Sequence, residues 1–205
     1  MPLDYVKRDG VAYITMNNPS KANILDKKMS DDISAAWIDM WEDRNIRCAI
    51  LTGSGERHFC GGHNLAPRPD VTEEEREYLR TLKIYWPLAG TVFGQKTGVD
   101  GRMGDHYPRV WKPVIAAVRG VAAGIGFSIA MACDLIIASD TAKFSQIFKK
   151  IGLIPDGGAV FFLTQRIGIA RAKELVYTAR MLPAQEAAEW GLINRVVPDA
   201  ELEAN

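Results

Sequence analysis

The chain has 205 residues, 47% hydrophobic and 24% charged, long enough for one sizeable core, and no linker-like stretch divides it; a single domain over residues 1–205 is expected. Lys+Arg and Asp+Glu both number 25 and no basic block stands out, which argues against nucleic acid or an anionic membrane as the main partner. The three cysteines form no CxxC pair and have no His at ligand spacing, and the N-terminus, MPLDYVKRDG, shows no basic segment followed by an apolar one. A reducing, cytoplasmic setting without a bound metal is the expectation.

In chain order, YVKRDGVAYITM reads as a hairpin, with Asp9-Gly10 as a two-residue turn between alternating strands. From Asp26 to Asp43, Met29, Ile33, Ala36, Trp37, Met40 and Trp41 recur at helical spacing, and Asp26 is placed to cap. RCAILTG (47–53) is a short buried strand, and GSGERHFCGGHNL after it reads as a loop. TEEEREYLRTLKIYW predicts a charged helix, and the segment 90–106, with glycines at 90, 94, 98, 101 and 104, is the most plausible mobile stretch. PVIAAV (113–118) is a strand. The apolar run Val121 to Cys133, broken only by Ser128 and bracketed by Arg119 and Asp134, is shorter than the ~20 residues of a bilayer span and predicts a buried helix. DLIIAS and AKFSQ predict further strands, followed by helices around Phe161, Lys173 and Glu186. Strands alternating with helices indicate an α/β fold.

Two of these segments share a chemistry. HFCGGHNL follows a strand with a glycine pair, and Gly120, Gly124 and Gly126 surround the start of the buried helix. That spacing fits neither a dinucleotide nor a P-loop motif. Each segment could supply one backbone N–H to an oxyanion hole, because unpaired N–H groups point outward from a helix N-terminus. The alternative is that both are tight turns in which glycine lets helix and strand pack closely.

NNPSKANILD (17–26), HFCGGHNL (58–65), KPVIAAVRGVAAGIGFSIAMACDLIIAS (112–139), KKIGLIPDGGA (149–159) and ARAKELVYTARMLPAQEAAEWGLINRVVP (170–198) together resemble the enoyl-CoA hydratase/isomerase family, the crotonases. The resemblance covers nearly the whole chain in order. It implies a spiral of ββα units forming two stacked, nearly perpendicular sheets flanked by helices, assembled as a homotrimer or dimer of trimers. It also implies acyl-CoA thioester substrates, with coenzyme A present only as part of the substrate. The oxyanion donors it implies are the N–H groups of His63 and Ile125. Around them, Ala22 in the early CoA-contacting loop, Gly62, Asn64, Leu65, Gly124, Phe127 and Phe148 are implied substrate-binding positions.

The departures from the family pattern carry as much information. Hydratases of the family have two glutamates acting on one water, at the positions of Ser128 and Phe148, and neither carboxylate is present. Hydration delivers hydroxide to one carbon and a proton to its neighbour, work that serine and phenylalanine cannot share. One carboxylate remains, Asp156 in IPDGGA, where double-bond isomerases and aromatic dehalogenases of the family carry an aspartate. It is a candidate base or nucleophile, expected to be walled by Ile154, Phe148 and Phe127; its alternative role is an N-cap for the helix from Ala159. His106 and Tyr107 are either an acid facing Asp156 or packing residues. Tyr85, Trp86, Phe93 and Trp111, with Phe127 and Phe148, would suit a cyclic or aromatic acyl group, or form core.

The resemblance therefore implies a double-bond isomerase or related enolate-forming enzyme. A hydrolytic or carbon-carbon bond-cleaving crotonase and a non-catalytic acyl-CoA-binding homologue are the alternatives. Related chains continue beyond the position of Asn205, so the usual C-terminal helices are expected to be lacking and apolar surface near Phe161 and Val176 to be uncovered.

Overall fold

Asp9 and Gly10 both adopt positive φ (54° and 80°), the geometry that matches a two-residue turn to the twist of its strands, and they join β1 (Leu3–Arg8) to β2 (Val11–Met16). The structure is a computed structural model and describes residues 3–65 and 112–203. After β2, α1 (Lys27–Glu42) starts as its cap predicts, with the Asp26 carboxylate accepting from the Met29 N–H at 2.9 Å. The six apolar positions read at helical spacing are all buried.

β3 (Cys48–Gly53), β5 (Val114–Val118), β7 (Leu135–Ser139) and β10 (Arg195–Val197) extend the first sheet in the order β1-β2-β3-β5-β7-β10, parallel from β2 onward. Its strands alternate buried and half-buried residues: Ala12, Ile14 and Met16 in β2 and Ala49 and Leu51 in β3 lie in the core. A second sheet, β4 (His58–Cys60), β6 (Val121–Ala123), β8 (Lys143–Ser145) and β9 (Leu182–Pro183), is parallel except for its last pair. The helices are α2 (Ile125–Ala132), α3 (Ala159–Thr178) and α4 (Ala184–Glu189). α3 is kinked at Gly168, whose φ of 75° and ψ of 164° are non-helical, so it acts as two helices, as predicted around Phe161 and Lys173. The architecture is mixed α/β with two sheets and flanking helices.

Two expectations are corrected. The stretch read as loop contains β4, and the run read as one buried helix from Val121 is a strand as far as Ala123 and a helix only from Ile125. The reason is the same in both: three-residue strands are defined by their partners, and β4 and β6 pair with each other. The charged helix, the glycine-rich segment, His106, Tyr107, Tyr85, Trp86, Phe93 and Trp111 lie outside the described residues. Phe161 is 39% exposed, and half-buried Val176 lines an open groove with Leu153, Ile154 and Tyr177. No helix among the described residues is long and apolar enough to cross a membrane.

All three cysteines are free thiols: Cys48 is half-buried, Cys60 and Cys133 are buried. Burial pushes the Cys60 thiol up to about 12, against a smaller opposing effect of the Gly62 N–H, and burial also pushes up that of Cys133. The thiolate is the reactive form, so a disulfide reagent at pH 8 is expected to label Cys48 alone in the native protein, and all three only after denaturation. Native labelling of Cys60, read by peptide mass spectrometry, would contradict the packing described below.

Candidate active site

β4 and β6 lie side by side and parallel, so their carboxyl ends reach the same edge of the small sheet. The chain leaves β4 as Gly61-Gly62-His63 and leaves β6 as Gly124-Ile125, which delivers both glycine segments to one place. Their contact is close. A Cβ built on Gly62 would lie 3.3 Å from the Ala123 carbonyl oxygen and 4.0 Å from the Ile125 nitrogen.

The direction of the His63 N–H follows from its neighbours. Leu25 forms a parallel bridge with His63, in which the Leu25 N–H donates to the Gly62 carbonyl (2.8 Å) and the Asn64 N–H donates to the Leu25 carbonyl (2.9 Å). Successive peptide groups in an extended segment point to opposite sides, so the His63 N–H faces away from Leu25. Ile125 is the first residue of α2, and its N–H is one of the four without a partner inside the helix. Gly124 makes that entry possible: φ of 53° with ψ of −123° is a conformation that side chains avoid, and its own N–H is bound by the Ser145 carbonyl at 2.9 Å.

The other two glycines of the motif answer to packing. A Cβ at Gly120 would lie 2.2 Å from the Arg57 carbonyl oxygen, and one at Gly126 would lie 2.3 Å from that of Cys60. Close packing of backbone therefore accounts for glycine at these two positions.

The early loop closes against the same edge. Ala22, half-buried at φ 55°, accepts the Gly61 N–H at 2.8 Å. Beside it, Asn23 holds the loop in a way that the sequence reading missed. Fully buried, it accepts from the Asn18 N–H and donates through Nδ2 to the carbonyls of Ser54 (3.0 Å) and His58 (2.8 Å), fastening 18–25 to the start of β4. The signal was faint, since Asn at positive φ is visible in sequence only as turn propensity. His63 is half-buried, and Asn64 and Leu65 are exposed at the rim.

Phe148 is buried, with its ring 3.7 Å from where a Gly124 Cβ would stand, so it borders the segment that carries Ile125. Phe127, one turn into α2, is fully buried and packs on Phe144 with ring centroids 5.2 Å apart. Neighbouring Gln146 is also fully buried, and neither atom of its amide finds a hydrogen-bond partner among the described residues.

At Asp156 one expectation is corrected and the alternative role is set aside. Ile154 is 84% exposed and Asp156 itself is exposed, so Ile154 does not wall the carboxylate. Nor is the carboxylate a cap: α3 begins from Gly158 without a side-chain cap, and it is the Asp156 main-chain carbonyl that accepts the Ala159 N–H, at 3.0 Å. The reason is the Gly157-Gly158 pair, whose positive φ values (59° and 75°) fold the turn tightly enough for backbone alone to close it. Ser128, one turn after Gly124, brings this turn to the glycine segments. Its hydroxyl lies 3.1 Å from the Asp156 carbonyl and 3.3 Å from the Gly124 carbonyl.

Two backbone donors at one sheet edge, with a carboxylate-bearing turn tied to the same helix, suit chemistry on a substrate carbonyl. The matching family is consistent with this: residues 6–89 and 101–205 match the model described as Enoyl-CoA hydratase/isomerase. The chain belongs to that family and is an acyl-CoA-processing enzyme of it. It is 34% identical over 203 residues to (E)-benzylidenesuccinyl-CoA hydratase of Thauera aromatica, covering 98% of this chain and 72% of that one. It is 36% identical over 200 residues to carnitinyl-CoA dehydratase of Proteus mirabilis, covering 98% and 69%. Among solved structures, enoyl-CoA hydratase from Bacillus anthracis superposes with a TM-score of 0.80 at 31% identity, over 100% of this chain and 73% of that one.

Proposed function

We propose that the protein forms an enolate from an acyl-CoA thioester, most directly as a double-bond isomerase, with Asp156 as base and the N–H groups of His63 and Ile125 holding the thioester oxygen. The observation that carries this is the approach of the two glycine segments, with a Cβ built on Gly62 lying 4.0 Å from the Ile125 nitrogen while the His63 N–H faces away from its bridge partner. In the step, Asp156 removes a proton alpha or gamma to the thioester carbonyl. The electron pair moves onto the oxygen held by the two donors, and the proton returns at the other carbon. Atoms and charge balance with one carboxylate. Ala22, Asn64 and Leu65 border the entry and Phe148 the acyl end. Assembly as a trimer or dimer of trimers and one domain spanning 1–205 belong to the same proposal.

A second reading, addition or elimination of water, is favoured by the relatives named hydratase and dehydratase. It would require Asp156 to serve both proton transfers, since Ser128 and Phe148 replace the pair that shares them. A screen of 2-enoyl-, 3-enoyl- and aryl-acetyl-CoA thioesters with mass spectrometry separates the two. The expected result is isomerised product or exchanged protons, with hydration of crotonyl-CoA weak or absent. Turnover of crotonyl-CoA to the hydroxyacyl product at ordinary enzymatic rates, 1 s⁻¹ or more by order of magnitude, would instead establish the water reading.

A further inference from the structure

We infer that Ser128 is a positioning residue, whose buried hydroxyl holds the main chain of Asp156 against the first turn of α2 and so sets where the carboxylate meets the acyl group. The inference rests on the reading of Asp156 as the proton-moving group. Ser128 is fully buried, and a serine hydroxyl has one hydrogen to donate. The Gly124 carbonyl already accepts the Ser128 N–H at 3.1 Å, as the first bond of the helix, while the Asp156 carbonyl is the nearer of the two oxygens facing the hydroxyl. The hydroxyl therefore adds most at Asp156.

The residues beside that turn offer few packed side chains. Leu153 and Ile154 before it are 52% and 84% exposed, and Gly157 and Gly158 after it have no side chains to pack. Among the described residues, the Asp156 carbonyl oxygen accepts two hydrogen bonds, one from Ala159 within the turn and one from Ser128 outside it. Of these, only the Ser128 bond ties the turn to the helix that carries Ile125. The same geometry accounts for serine at this position. An ionised glutamate here would bring only acceptors to a place faced by two carbonyl oxygens, so it could not supply the hydrogen bond that Ser128 gives to Asp156.

The test measures solvent-deuterium exchange into a bound acyl-CoA, steady-state kinetics and amide hydrogen exchange for wild type, Ser128→Ala, Ser128→Cys, Asp156→Asn and the Ser128→Ala/Asp156→Asn double variant. A misplacement of about 1 Å costs on the order of 10²-fold in rate, so Ser128→Ala is expected to lower kcat and substrate exchange roughly 10- to 100-fold with KM little changed. Ser128→Cys, which keeps a weak donor, should fall between. The Ala159 amide, which shares the Asp156 carbonyl, should exchange faster in Ser128→Ala while the central strands of the large sheet stay protected. In the Asp156→Asn background, removing the hydroxyl should cost nothing further. Wild-type kinetics in Ser128→Ala, or an equal loss in both backgrounds, overturns the inference while leaving Asp156 as base. Undiminished substrate exchange in Asp156→Asn alone overturns the Asp156 assignment itself, and the inference with it.

Discussion

Asp156→Asn is expected to abolish proton exchange into a bound acyl-CoA, by at least the ~10²-fold typical of losing a general base, while melting at nearly the wild-type temperature. The two halves of that result have separate causes. Asparagine keeps the size of aspartate but has no basic carboxylate. The fold should not register the change, because the carboxylate is exposed and caps no helix, and the main-chain carbonyl that receives Ala159 and Ser128 is untouched. Measuring deuterium incorporation and thermal melting on the same preparations decides it. Equal exchange in both proteins would remove Asp156 from the mechanism, and a marked fall in melting temperature would show that the side chain supports the turn after all.

Gly126→Ala is expected to give a large loss of stability. The added Cβ would sit 2.3 Å from the Cys60 carbonyl oxygen and 2.9 Å from its carbonyl carbon, both backbone atoms of the adjacent strand that no rotamer change can move. Either α2 or β4 must shift, and with it the separation of the two glycine segments. Overpacking of this kind costs about 3 kcal/mol, the upper end of its usual range. For a chain of this length that corresponds to a melting temperature lower by roughly 6–12 °C. Gly191→Ala is the control, since among the described residues its Cβ meets nothing within 4 Å and a φ of 74° is what opposes it; a loss of about 1 kcal/mol is expected there. Similar melting of the two variants would mean that the contact between α2 and β4 is looser than the structure shows.

The elements whose cause is local were legible in the residue string. The Asp9-Gly10 turn, the Asp26 cap, the apolar stripe of α1 and the strands 47–53, 113–118 and 134–139 each carry their signal within a short window, because turn chemistry, capping and hydrophobic period act between near neighbours. Ser128 and Phe148, at positions where the resemblance implies glutamates, were equally visible as residue types set in a recognisable motif. The remaining features depend on partners distant in the chain. β4 and β6 exist because residues 58–60 and 121–123 meet, and three residues have no periodicity to read. The bareness of Gly120 and Gly126 reflects backbone packed 2.2–2.3 Å from where side chains would begin, whereas that of Gly124 reflects its dihedral angles. The exposure of Ile154 and the bond from Ser128 to Asp156, 28 positions apart, follow from how the second half of the chain is laid over α2. Residue types and local period are properties of neighbours in the chain, but whether a glycine faces a ligand or another backbone, and whether an aspartate caps a helix or stands free, depends on what the folded chain brings beside it.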